Sequence, residues 1–131
     1  MENSFKLELI KPEKIIFSDE VVMTTLPSYE GDMSILKSHI PIIAFLRPGI
    51  IIAAKSEKHN EIFFVEDGTI EYFNNNLVVL SSSIMNVKDL SRKYLDDLNK
   101  ETENQLSQSN ITDHDRYILN HKLDTIRDIR V

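Results

Sequence analysis

Cysteine is absent from this sequence, and so is tryptophan. Without cysteine, disulfides and thiolate metal sites are excluded, and a reducing compartment fits. Without tryptophan, and with aromatics at only 8%, there is little material for an aromatic-lined sugar or lipid cleft. No apolar run approaches the roughly 18 residues that a membrane-spanning helix needs. The opening MENSFKLEL has no basic region followed by an apolar block, so it does not read as a secretory signal. Any membrane association is therefore expected through a partner. Positive charge is also short: Lys and Arg number 15 against 21 Asp and Glu, a net charge of −6. That argues against a nucleic-acid binder, which must neutralise phosphates with clustered cations.

Proline and glycine are scarce as well, four and three. Three of the prolines and two of the glycines fall in one run, Pro27 to Gly49. Pro fixes φ and Gly tolerates positive φ, so this density predicts tight corners. Between them lie Ile35-Leu36 and Ile42 to Leu46, read as short strands. Glu30, Asp32 and His39 fall on the loops, with Ser28 to Asp32 read as one loop.

The rest of the first half alternates. Phe5, Leu7 and Leu9 alternate with Lys6 and Glu8, a half-buried strand. Ile15 to Phe17 reads as a second strand. Val21, Met23 and Thr25 are expected to share an inward face. Ile50 to Ala54 and Ile62 to Val65 are strand-like. Glu66-Asp67-Gly68 reads as a hairpin turn into Ile70 to Phe73. Asn74-Asn75-Asn76 reads as another turn, into Leu77 to Leu80. Short strands with regularly spaced turns predict a β-sandwich or barrel.

Composition changes near Ser81. From Val87 onward there is no Pro and no Gly. Leu90, Tyr94, Leu95 and Leu98 make one helical stripe, with Asn86 as the expected N-cap and Asp89 in the first turn. Ser107 to Ile111 reads as a linker. Thr112 followed by Asp115 fits a capping pattern. Leu119, Leu123 and Ile126, with Ile129 or Val131, form a second stripe. Two helices joined this closely are expected to form an antiparallel hairpin. Its stripes are thin, and isolated helices of this length are marginal, so loose attachment is expected.

The Pro27–Gly49 run also carries a resemblance. Pro27-x-x-Glu30-Gly31-Asp32-x-x-Ile35-Leu36-x-x-His39-x-Pro41, then Leu46-Arg47-Pro48-Gly49, resembles the signature of the epsilon subunit of F-type ATP synthases, equivalent to the mitochondrial delta subunit. Lys11-Pro12, Ile16-Phe17-Ser18, Asp67-Gly68-x-Ile70-Glu71 and NLVVLSSS extend it over essentially the whole chain. Ser34 stands where that family usually has Gly, Lys37-Ser38 where it often has Pro-Gly, and Asp67-Gly68 where it often has Gly-Gly.

The resemblance implies an α+β fold, mainly β: an antiparallel β-sandwich over 1–86, then an α-helical hairpin over 87–131. It implies a non-catalytic central-stalk subunit that couples catalysis to rotation, with gamma, the membrane rotor ring and the catalytic alpha/beta subunits as partners. Glu30, Gly31 and Asp32 would face the rotor ring and His39 would face gamma. Arg116, Lys122, Arg127 and Arg130 would make inhibitory contacts when the hairpin extends. No cofactor is required. Asp89-x-x-Arg92 partly matches the family's nucleotide motif, which makes ATP a candidate regulatory ligand. The implied location is the cytoplasmic face of a bacterial inner membrane, with a plastid thylakoid as the other setting.

Each site has a blander reading. Glu30, Asp32 and His39 read as loop-stabilising groups before they read as a metal or acid–base set. Asp89 and Arg92 read as an ordinary i,i+3 helix pair. His114 and His121, about 10 Å apart along a helix axis, read as two solvated histidines. The basic residues of the second helix read as a solvated face, because Asp113, Asp115, Asp124 and Asp128 nearly balance them. Two other functions compete with the stalk: a stand-alone ligand-binding β-sandwich, and a small cupin-like metal enzyme using Glu30, Asp32 and His39.

Overall fold

Period-two alternation sets the strands, and the turn residues set their ends. The computed structural model describes residues 3–130. Among them ten strands form: β1 Phe5–Lys11, β2 Lys14–Val21, β3 Met23–Ser28, β4 Gly31–Ile35, β5 Ile42–Leu46, β6 Gly49–Ser56, β7 His59–Val65, β8 Gly68–Phe73, β9 Asn76–Leu80 and β10 Met85–Asn86. They pair in the order β10-β7-β6-β3-β5-β8-β9-β1-β2, with β4 added to β3. All pairs are antiparallel except β1 with β9.

The two ends of this path meet. Phe17 of β2 packs edge-on to Phe63 of β7, ring centroids 5.7 Å apart. Lys55 Nζ of β6 lies 2.6 Å from Asp19 of β2. The sheet thus folds over itself into two layers. Leu7, Leu9, Leu26, Ile35, Ile51, Phe63, Ile70, Tyr72, Leu77 and Val79 fill the space between them. Each such side chain contributes about 1.5–3 kcal/mol on burial, so this core dominates stability.

Four local expectations are corrected. First, β3 buries Thr24 and Leu26, while Met23 is 37% exposed. Val22 lies between β2 and β3 and donates its N–H to the Ala54 carbonyl at 2.8 Å. One residue outside the strand reverses the parity of everything after it. Second, β7 and β8 do not pair. β7 is taken by β6 and β10, and β8 by β5 and β9. Asp67-Gly68 therefore turns the chain from one layer to the other. Gly68 has φ +147°, and a Cβ there would sit 2.6 Å from the Leu80 carbonyl oxygen. The turn signal is real, but strand partners are chosen by distant sequence.

Third, Ser28 to Asp32 is not an open loop. Ser28 pairs with Gly31 and Pro27 with Asp32, so only Tyr29 and Glu30 make the β3–β4 turn. Fourth, Asn86 caps only a single 3₁₀ turn, Val87–Asp89. Leu90 then runs extended and buries its side chain, and helix α1 spans Arg92–Leu106 with Ser91 as N-cap. The Asn74-Asn75 turn forms as expected, with φ of 51° and 61° between β8 and β9.

Helix α2, Asp113–Asp128, starts from Thr112 with a full capping box to Asp115. It folds back on α1. Leu90, Leu95, Leu98, Ile126 and Ile129 make one cluster with Phe64 of β7, flanked by Ile50 and Met85. The helical pair therefore sits on the outer side of the β6–β7–β10 edge. Val131, a candidate for the end of the second stripe, lies outside the described residues.

Candidate functional site

The fold separates Glu30, Asp32 and His39. Glu30 is at the tip of the β3–β4 turn, beside Gly31, which has φ +122°. Asp32 lies on β4 and accepts from Arg47 Nη2 at 3.1 Å. His39 lies in the β4–β5 connection, where its Nδ1 is 2.7 Å from the Ile40 carbonyl oxygen and its ring meets Tyr72 edge-on. Among the described residues no three His, Asp or Glu converge as a metal would require.

What the strands do build is an apolar outer face. Cross-strand partners point the same way, and Phe45 pairs with Thr69, which pairs with Leu80. Ile43 pairs with Glu71, which pairs with Val78. Ile43 is 75% exposed, Phe45 59% and Phe73, also on this face, 64%. Ile40, at 74%, stands in the connection leading into β5. Exposed apolar side chains grouped on one sheet face make it the candidate interaction surface of the fold. The sequence hid it: Ile42 to Leu46 is one unbroken apolar run, and such a run does not say which side faces the core.

A second surface joins α2 to the sandwich. Tyr29, at the β3–β4 turn, stacks on His114 at 6.0 Å and on Tyr117 at 5.9 Å between centroids. The Tyr117 hydroxyl donates to the Tyr29 carbonyl at 3.0 Å. Tyr117 also meets His121 edge-on at 4.5 Å. Burial pushes the His121 pKa below its usual value, helped by the charge of Arg47 and opposed by Asp124 and Asp32. His121 is thus half-buried among ring contacts rather than solvated, whereas His114 stacks on Tyr29 but stays exposed, as a solvated side chain does. The turn that carries Tyr29 brings His114 a partner that spacing along α2 does not reveal, while His121 meets Tyr117 of its own helix. Beside the seam, a cavity of about 550 Å³ opens between Glu66, Gln105, His114 and Leu119.

The four basic candidates of the second helix divide. Lys122 points at the sandwich and pairs with Glu66 of the β7–β8 connection at 2.7 Å, its side chain only 12% exposed. Arg127 reaches Glu103 of α1 at 3.1 Å. Arg116 and Arg130 are exposed and form no ion pair among the described residues. The expected Asp89–Arg92 pair is not made. Asp89 belongs to the 3₁₀ turn, and Arg92 opens α1 with Asp96 at 3.7 Å. The extended Leu90 between them breaks the helical spacing on which that pair depends.

A folded-over β-sandwich with an apolar outer face and a helical pair seated on its edge defines the class of molecule. The family model described as "ATP synthase, Delta/Epsilon chain, beta-sandwich domain" matches residues 4–87. The chain belongs to that family. It is 44% identical over 129 residues to the "ATP synthase epsilon chain" of Pelagibacter ubique, covering 97% of this chain and 98% of the relative. It is 38% identical over 89 residues to that of Afipia carboxidovorans, covering 68% and 65% respectively. In fold it is similar to a chain of the Euglena gracilis mitochondrial ATP synthase OSCP/F1/c-ring structure, with TM-score 0.75, 15% identity and coverage of 95% and 78%. It is also similar to one in the Tetrahymena thermophila ATP synthase central stalk/c-ring structure, with TM-score 0.60, 15% identity and coverage of 93% and 90%. The family model stops at Val87, before α1, whereas the Pelagibacter match spans the helices.

Proposed function

We propose that this chain is a non-catalytic rotor subunit in the central stalk of a proton-translocating F-type ATP synthase. Residues 1–86 bind gamma and rest on the membrane rotor ring, so that torque passes between catalysis and rotation. Residues 87–131 form a hairpin that leaves the sandwich and restrains ATP hydrolysis. The observation that carries this reading is the exposed apolar face of β5, β8 and β9, with Ile43, Phe45 and Phe73 on it. Gamma, the partner that the resemblance implies, would take that face, and His39 lies in the β4–β5 connection. The β3–β4 turn, with Glu30, Gly31 and Asp32, meets the ring. Acidic rim groups of this kind fix register more than affinity.

In the extended state Arg116, Arg127 and Arg130, joined by Lys122 once it parts from Glu66, meet acidic loops of the catalytic alpha/beta subunits. ATP is an optional regulatory ligand near Asp89 and Arg92. Binding it requires Leu90 to leave its extended conformation so that the two side chains converge. No helix among the described residues is long and apolar enough to cross a membrane. Attachment is through the complex, on its cytoplasmic side.

The test is co-purification with gamma. The wild-type chain and an Ile43→Asp/Phe45→Asp double variant are compared, with circular dichroism confirming equal folding. Loss of binding in the variant supports the reading, and equal binding rejects it. Removal of residues after Val87 tests the hairpin: hydrolysis by the assembled enzyme should rise, and unchanged hydrolysis removes the inhibitory role.

A further inference from the structure

The seam between α2 and the β3–β4 turn contains an imidazole placed where its charge state matters. His121 is half-buried on α2, one turn after Tyr117. Tyr117 is held to the sandwich through its hydroxyl bond to the Tyr29 carbonyl and its stack on the Tyr29 ring. The sandwich side presents the Arg47–Asp32 ion pair, 3.1 Å. The charges acting on the imidazole are Arg47 and Asp32 from the sandwich and Asp124 from its own helix.

We propose that the seating of α2 on the sandwich is proton-sensitive: protonating His121 loosens α2 while the strands keep their packing. Two physical effects disfavour the imidazolium in the seated state. Burial strips it of water, and the Arg47 guanidinium repels it. Asp32 is already engaged by Arg47, so its carboxylate offers only partial relief. In an unseated helix the imidazole is hydrated and titrates near its ordinary value of 6.5. The seated form therefore binds fewer protons than the unseated one. Its stability is full above about pH 6.5 and falls as pH drops from there through the lower seated value. His114, stacked on the Tyr29 ring 6.0 Å away, is the other imidazole facing this turn. The inference concerns contacts within this chain and holds whether or not the stalk reading does.

Hydrogen exchange of the full chain between pH 7.5 and pH 5.5, corrected for intrinsic rates, tests it. The expected result is a severalfold loss of protection in residues 113–128, no loss in β1, β6 or β9, and a flattened response in His121→Phe. Unchanged α2 protection in the wild type overturns the proposal, as does an undiminished response in His121→Phe. Should that variant misfold, the wild-type imidazole is titrated by nuclear magnetic resonance. A midpoint below 6.5 for His121 supports the proposal, and one at or above 6.5 overturns it.

Discussion

At position 24 a threonine hydroxyl is shut inside the sandwich. Thr24 is fully buried, and its Oγ1 has no hydrogen-bond partner among the described residues. An unpaired buried hydroxyl costs about 1–3 kcal/mol, and an apolar group of the same shape removes that cost. Thr24→Val is therefore expected to raise stability by about 1 kcal/mol, read from the midpoint of urea unfolding. A lowered midpoint would show that the hydroxyl is satisfied. Gly49 is the opposite case. A Cβ on it would lie 2.4 Å from Pro27 Cβ and 2.7 Å from Pro27 Cγ. Both atoms belong to a rigid ring, so the backbone of β3 or β6 must give. Gly49→Ala is expected to cost about 1–3 kcal/mol, the range for overpacking a well-packed core. The same urea midpoint checks it.

At the scale of elements, the helical pair is the weaker partner. α1 buries only Leu95, Leu98 and Thr102, and α2 buries Leu123 and Ile126. Local signals at the helix ends matter more when the packed face is small. Thr112 accepts from the Asp115 N–H at 3.0 Å, and Asp115 accepts from the Thr112 N–H at 3.2 Å. Thr112→Ala removes the first bond and is expected to cost about 1 kcal/mol. The loss should fall on α2 in hydrogen exchange and spare the strands.

This scale also shows what was legible in advance. Period-two runs and asparagine turns mark strands because both act within a few residues, and so does the Thr112 cap. The β3 parity escaped because a single residue, Val22, leaves the ladder to bond Ala54. The layer change at Gly68 escaped because the partners of β7 and β8 are distant in sequence. The start of α1 was misplaced because Asn86 is a genuine cap, but of a different turn. Among the candidate functional residues, Glu30, Asp32 and Lys122 were singled out by residue type, while the partners Arg47 of Asp32 and Glu66 of Lys122 depend on the fold. Ile43 and Phe45 were invisible as surface residues, since only the β5–β8 pairing tells their face from that of Ala44.

For the whole molecule, the packing is divided between two cores of unequal size. One lies between the sheet layers and includes Tyr72, Phe5, Phe63 and Leu26. The other joins the helices to Phe64 and is much smaller. A coupling part needs a stiff body to carry torque and a face to grip its shaft. A regulatory part needs a contact that opens at modest cost. The apolar face of β5, β8 and β9 lies apart from Phe64 and the helical cluster. Under the proposed function, gripping a shaft and releasing the hairpin would therefore use separate surfaces.

The most direct test of the coupling role is ATP-driven proton pumping by the assembled synthase in membrane vesicles, with hydrolysis measured in parallel. With this chain removed and replaced by the Ile43→Asp/Phe45→Asp variant, pumping should fall to near background while ATP hydrolysis continues. Pumping restored by the variant to the wild-type level would contradict the account.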